Sequence, residues 1–187
     1  YTKKLNDYPQ IQAQLWDKIR NYRFEEQYAK QDLALDEALR LLDCTAYFNI
    51  LDNPVPTDIK GIAHYMEEER IIVKQDNGLY AITNLGAILF ARKLSSFPRI
   101  ERKAVRVVQY QDKSRINMLK EDVNNKGYAI GFDETLKYIG ALLPSQESII
   151  GALREKVSAY PAIALREAVA NALIHQDFSV TGTGVVI

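Results

Sequence analysis

The chain has 187 residues, 47% of them hydrophobic, which suits a globular protein of one or two domains. Its 24 Lys and Arg balance 24 Asp and Glu, so no overall field draws it to nucleic acid or an anionic membrane, and any DNA contact must come from a local patch. The single cysteine, Cys44, excludes an internal disulfide and, with only His64 and His175 beside it, argues against structural zinc; without a transmembrane-length apolar stretch or a signal-peptide pattern, a cytoplasmic protein with no membrane partner is expected.

Residues 11–30 carry helix-compatible spacing, with Leu15, Ile19 and Tyr22 on one side, and residues 1–32 read as a helical arm or linker. The part that follows, residues 33–95, is better patterned. Leu35, Ala38, Leu39 and Leu42 give an amphipathic helix over residues 33–43, and residues 46–51 suit a second short one. Asn53-Pro54-Val55-Pro56 breaks the chain, after which Thr57 or Asp58 can cap a third helix running to about Glu68, with Ile59, Ile62, Ala63 and Met66 as its apolar stripe. Residues 70–75 read as a strand, Asp76-Asn77-Gly78 as a hairpin turn, and residues 79–82 as the returning strand. Three helices followed by a hairpin is the order of a winged helix. In a DNA-binding reading Lys60 would face a groove while Arg70 or Lys74 meets phosphates; Glu67-Glu68-Glu69 opposes this, and such modules also serve dimerisation or docking to a protein partner.

Residues 83–94 suit an apolar helix capped by Thr83 or Asn84 and ended by Ser95-Ser96-Phe97-Pro98. Residues 104–110 alternate apolar and polar as a half-buried strand does. Around it stand Arg99, Arg102, Lys103, Arg106, Lys113 and Arg115, a basic cluster that suits either a DNA or phosphate face or a solvated edge strand. Residues 117–131 read as a mobile loop, 133–143 as a helix with Leu136, Ile139, Gly140 and Leu143 inward, and 147–157 as another helix.

The segment from Tyr160 to Phe178 carries the chemistry. Pro161 suits a first helical turn, and the alanine-rich run after it is a strong helix former. Glu167, Asn171 and His175 fall at i, i+4 and i+8, one polar stripe on a segment otherwise apolar all round, so the helix is expected to be buried and its polar stripe to need a partner. A Glu and an Asn one turn apart can share a small site, the amide oxygen on hydrated Mg²⁺ and the carboxylate on a water. A packed helix with satisfied polar groups is the plainer alternative.

The Glu-x-x-x-Asn-Ala core resembles the N-box helix of the GHKL ATPases of gyrase, MutL and histidine-kinase type. The longer string, Tyr160-Pro161, Arg166-Glu167, Asn171-Ala172 and His175-Gln176-Asp177-Phe178, resembles the divergent GHKL domain of bacterial Schlafen-AlbA-type transcriptional regulators, also described as RecG-related ATP-dependent helicases. The resemblance covers roughly residues 33–187. It implies an α+β fold, with residues 33–95 winged-helix-like and residues 96–187 the start of a GHKL-like α/β sandwich. It further implies ATP and Mg²⁺ as cofactors, Glu167 as general base, Asn171 as the Mg²⁺ ligand, and His175 and Asp177 near the nucleotide. Relatives usually read His-Arg-Asp-Tyr where this chain has Gln176 and Phe178, which removes a cation and a phenol.

The resemblance therefore points to an ATP-binding, DNA-associated transcriptional regulator, with slow Mg²⁺-dependent ATP hydrolysis as its candidate activity and DNA, a protein partner or a second copy as its partners. The alternative is a non-enzymatic winged-helix scaffold or dimerisation module. No Gly-x4-Gly-Lys-Ser/Thr phosphate loop occurs, so a helicase motor has no support, and the lack of Gly-x-Ser-x-Gly argues against a serine hydrolase. Because the chain starts without Met and its last residues, 183–187, read as the beginning of a strand, a fragment is expected, one that alone binds ATP weakly or not at all.

Overall fold

Strand β1 (Tyr28–Leu33) opens a run of three helices and a hairpin in the computed structural model, which describes residues 8–20, 23–150, 153–180 and 182–187. It is preceded by helix α1 (Pro9–Arg20) and a 3-10 turn at Phe24–Glu26. The helix expected over residues 11–30 therefore stops ten residues early, and Tyr22 lies outside the described residues. Pairing decides this: β1 lies antiparallel to a later strand and buries Ala29 and Leu33 against it.

The three helices follow as expected. In α2 (Leu35–Leu41), Asp36 and Glu37 stand in the first turn and Arg40 in the last, matching the helix dipole. The Asp43 carboxylate accepts from Ala46 N–H to start α3 (Cys44–Ile50), and Asp58 accepts from Gly61 N–H to start α4 (Ile59–Glu68). Helix α4 buries Ala63 and Met66, while Ile59, expected on its apolar stripe, is exposed. Arg70 closes α4 in the left-handed region at φ 53°, with the Ile71 N–H reaching back to the Met66 carbonyl at 2.8 Å.

The hairpin comprises β2 (Ile72–Lys74) and β3 (Tyr80–Thr83), turned by Gly78 at φ +79°. Strand β3 is central, so the sheet order is β1-β3-β2, the arrangement of a winged helix, and its Ala81 and Ile82 are fully buried. Thr83 then ends the sheet and caps α5 (Asn84–Phe90): its hydroxyl accepts from Gly86 N–H at 3.0 Å and donates to the Arg70 carbonyl at 2.8 Å. Gly86 is required here, since a Cβ would meet the Ile71 carbonyl oxygen at 2.3 Å. Helix α5 ends at Phe90 rather than Leu94, because Ala91 leaves the helix to bridge Leu42 and to accept from Gly127 N–H at 2.8 Å.

Beyond two 3-10 turns, at Leu94–Ser96 and Glu101–Lys103, β4 (Val105–Tyr110) pairs antiparallel with β5 (Met118–Asn124). Residues 117–131 are therefore a strand and the start of a helix, not the loop their polarity suggested. Six of the seven β5 residues are exposed, and its apolar Met118, Leu119 and Val123 do not alternate with polar residues as in a half-buried strand. On the other side of β4 residues 185–187 add in parallel, Arg106 N–H donating to Val185 O and Val108 N–H to Ile187 O. Helix α6 (Tyr128–Leu142) leads to a hairpin of β6 (Ser145–Ile150) and β7 (Leu153–Ser158), where a helix over residues 147–157 was expected. Gly151 and the β-branched Ile149, Ile150 and Val157 oppose helix there. Helix α7 (Ala162–Ile174) closes the order, giving seven helices and small antiparallel sheets among the described residues, an α+β fold.

One core runs from Phe48, Leu42, Met66, Ile72 and Ile82 through Leu94, Phe97 and Ile100 to Val169. Each of its large apolar side chains contributes roughly 1.5–3 kcal/mol relative to exposure. Among the described residues no helix is long and apolar enough to cross a membrane.

Candidate functional site

Helix α7 presents the predicted polar stripe to solvent. Only Val169 and Leu173 are buried on it; Glu167, Asn171 and His175 are exposed, as are Ile163 and Ile174. The expectation of a helix buried all round is thus corrected: half of its apolar residues are alanine, small enough to remain in water at little cost. The spacing does set two of these side chains side by side. The Asn171 side-chain amide donates to Glu167 Oε1 at 3.2 Å, so one carboxylate and one amide form a joined pair of hard oxygen donors, a chemistry that suits hydrated Mg²⁺. His175 is the C-cap residue, its N–H donating to the Asn171 carbonyl at 3.0 Å.

The segment after α7 is tied into the fold. The Gln176 side-chain amide donates to the Tyr128 hydroxyl at 3.0 Å, and that hydroxyl donates to the Lys103 carbonyl at 2.6 Å. Burial pushes the Tyr128 phenol above its ordinary pKa. Phe178 stacks on Phe24 and tilts against Tyr128. Asp177 is exposed, and its carboxylate accepts from the Ser179 hydroxyl at 2.6 Å and the Ser179 N–H at 2.9 Å; the hydroxyl bond chiefly, then the N–H, holds its pKa below the usual carboxylate range. Asp177 therefore shapes a local turn and does not join the Glu167–Asn171 pair through any hydrogen bond among the described residues.

Of the nine basic residues singled out in the sequence, Arg99, Lys113 and Arg115 are exposed, and the other six separate into two groups. Lys60, Arg70 and Lys74 are exposed on the winged-helix part, on α4, its C-terminal turn and β2. Arg70 lies 3.5 Å from Glu26, and Arg70 and Lys74 line a cleft of about 760 Å³ with Glu25, Glu26, Glu67 and Glu69, so carboxylates offset the local positive charge. In the second group Arg102 is exposed, whereas Arg106 is bound to Glu121 at 2.6 and 2.9 Å. Lys103, counted as a surface cation from the sequence, is only 3% exposed. Its ammonium donates to the Val180 carbonyl at 2.8 Å, and burial lowers its pKa against the opposing charge of Asp177. It is a structural tether and not part of an exposed basic surface.

The fold also builds a feature the sequence did not suggest. A cleft of about 510 Å³ lies among α5, α6 and α7, walled by Leu85, Ile88, Leu89, Phe132, Ala170 and Leu173. At its rim Arg166 lies over the Phe132 ring at 5.0 Å and 3.4 Å from Asp133. Arg166 adjoins Glu167 in the α7 motif, but its partners lie 33 and 34 residues upstream, a non-local pairing that no local pattern announces.

No family model matches this chain, and no curated protein shows detectable sequence similarity to it. Among solved structures it is similar to the crystal structure of the DIP2311 protein from Corynebacterium diphtheriae, a structural genomics target, with 18% identity and a TM-score of 0.53 over 93% of this chain and 33% of that one. The chain thus spans about a third of the length of that protein, and the likeness is one of fold.

Proposed function

We propose that this chain belongs to a cytoplasmic, ATP-binding regulator in which nucleotide bound at α7 alters how the winged-helix part meets DNA or a protein partner. The observation that carries this reading is the Glu167–Asn171 pair, two oxygen-bearing side chains joined at 3.2 Å on an open helix face. Asn171 Oδ1 would help hold a hydrated Mg²⁺, which would supply charge neutralisation for nucleotide phosphates, and Glu167 would orient an attacking water and accept its proton in slow hydrolysis. His175, one turn further along, would border the same face.

Coupling has a physical route. Phe178, just after α7, stacks on Phe24, just before β1; the Phe24 carbonyl accepts from the buried Asn84 amide at 2.9 Å, and Asn84 opens α5 directly after β3. A shift of α7 would therefore reach both β1 and β3 through packed groups. Lys60, Arg70, Lys74 and Arg102 are among the exposed cations available to DNA phosphates.

The test is DNA binding by fluorescence anisotropy with and without Mg²⁺·ATP. A nucleotide-dependent change in affinity that disappears in Asn171→Ala supports the reading; identical affinity in both conditions overturns the coupling. A second reading, a non-enzymatic winged-helix module for protein contact, is favoured by the carboxylates around Arg70 and by exposed Ile59 and Tyr65 on α4.

A further inference from the structure

Strand β5 is an edge: β4 pairs with it on one side, and among the described residues no strand pairs with the other. It is also unusually apolar for an exposed edge, with Met118, Leu119 and Val123 each about half exposed, at 54%, 57% and 49%. An unpaired row of backbone groups carrying such side chains is a template for another strand.

The charges of β5 indicate which strand. A two-fold axis perpendicular to the sheet brings residues of the same face opposite one another, so it must pass through a residue and not between two. Centred on Lys120, it sets Lys120 against its own copy; centred on Asp122, it sets Asp122 against its own copy and Glu121 against Val123. Centred on Glu121, it sets Lys120 against Asp122 twice, so each cation meets an anion; beyond Lys120 the strand bulges at Leu119, which leaves the regular register. The remaining like-charge contact, Glu121 against its own copy, is relieved because Arg106 holds that carboxylate at 2.6 Å within each chain. Opposite charges in this register, and clashes in its neighbours, are what select one pairing on an otherwise permissive edge.

We infer that β5 is a self-complementary docking edge through which two copies of this chain form a continuous antiparallel sheet, centred on Glu121. The inference is independent of any nucleotide chemistry at α7.

Light scattering on the eluting protein, with the wild type, Lys120→Asp, Asp122→Lys and the double charge swap, tests it. The wild type should be dimeric. Each single variant should dimerise at least about tenfold more weakly, because two attractive pairs become repulsive. The double swap should recover the dimer, since every pair is again one cation and one anion. Both substituted side chains, Lys120 and Asp122, are exposed, so folding should be unaffected, and circular dichroism verifies this. A monomeric wild type, single variants that dimerise normally, or a double swap that fails to recover would overturn the inference. A second readout fixes the register: mixing Lys120→Cys with Asp122→Cys should give a disulfide-linked dimer under mild oxidation, while neither variant alone should. Cross-linking of either alone, or none in the mixture, would contradict the Glu121-centred pairing.

Discussion

Phe178 stacks on Phe24 with ring centroids 6.2 Å apart and planes 17° apart, joining the segment after α7 to the turn before β1. Both rings are half-buried, and the Lys103 ammonium lies 5.9 Å from the centre of the Phe178 ring. Phe178→Ala should lower stability by about 2 kcal/mol, less than for a fully buried ring, and lower the Tm by roughly 4–8 °C. Urea and thermal denaturation followed by circular dichroism measure this. An unchanged Tm would mean that the stack does not hold α7 to the winged-helix part.

Two glycines of α6 should respond in opposite directions to alanine. A Cβ on Gly131 would lie 2.7–2.9 Å from the Asn124 side chain, which cannot move away because its amide donates to Gly131 O and Thr135 Oγ1 and its oxygen accepts from Lys126 N–H. Gly131→Ala should cost about 1–3 kcal/mol. Gly140 is exposed in the same helix with open space around it, so Gly140→Ala should add about 0.5–1 kcal/mol. Denaturation midpoints of the two variants provide the comparison.

Arg70 occupies the left-handed position that ends α4, where glycine is favoured. Its exposed ion pair with Glu26, at 3.5 Å, contributes little. Arg70→Gly should therefore stabilise the protein by about 0.5–1 kcal/mol. If the DNA reading holds, the same variant should bind DNA more weakly, so stability and affinity should move apart when both are measured.

Cys44 is buried at the start of α3, and burial pushes its thiol from an ordinary value of 9.0 up to about 11. The folded pKa is the higher one, so the contribution to stability is full below about 9 and is lost as pH rises towards about 11, where the unfolded chain has already released its proton. Stability should fall across that window in the wild type and fall less in Cys44→Ala. Iodoacetamide at pH 8 should label Cys44 only after unfolding; rapid labelling of the native protein would contradict the burial.

Local capping chemistry made part of the fold legible. Asp58 and Thr83 announce α4 and α5 because each cap is satisfied within three residues, and Gly78 announces the hairpin because a positive φ is needed there. Strand β1 was hidden because its order comes from pairing with β3, some fifty residues later, and β5 because both its faces meet water. The Glu167–Asn171 pair was legible from helical spacing alone, whereas the burial of Lys103 was not, since the carbonyls that hold its ammonium lie 74 and 77 residues away. Alanine content misled the reading of α7, because an alanine-rich face is compatible with either burial or exposure.

Calorimetric titration of Mg²⁺·ATP into the protein at its natural full length, beside Asn171→Ala, tests the central claim most directly. Asn171 is exposed and its side chain bonds Glu167, so the substitution should leave stability within about 0.5 kcal/mol and isolate the effect on binding. Saturable binding by the wild type that is lost in Asn171→Ala is the predicted result. No binding by the well-folded wild type, or equal binding by both proteins, would contradict a nucleotide site at α7.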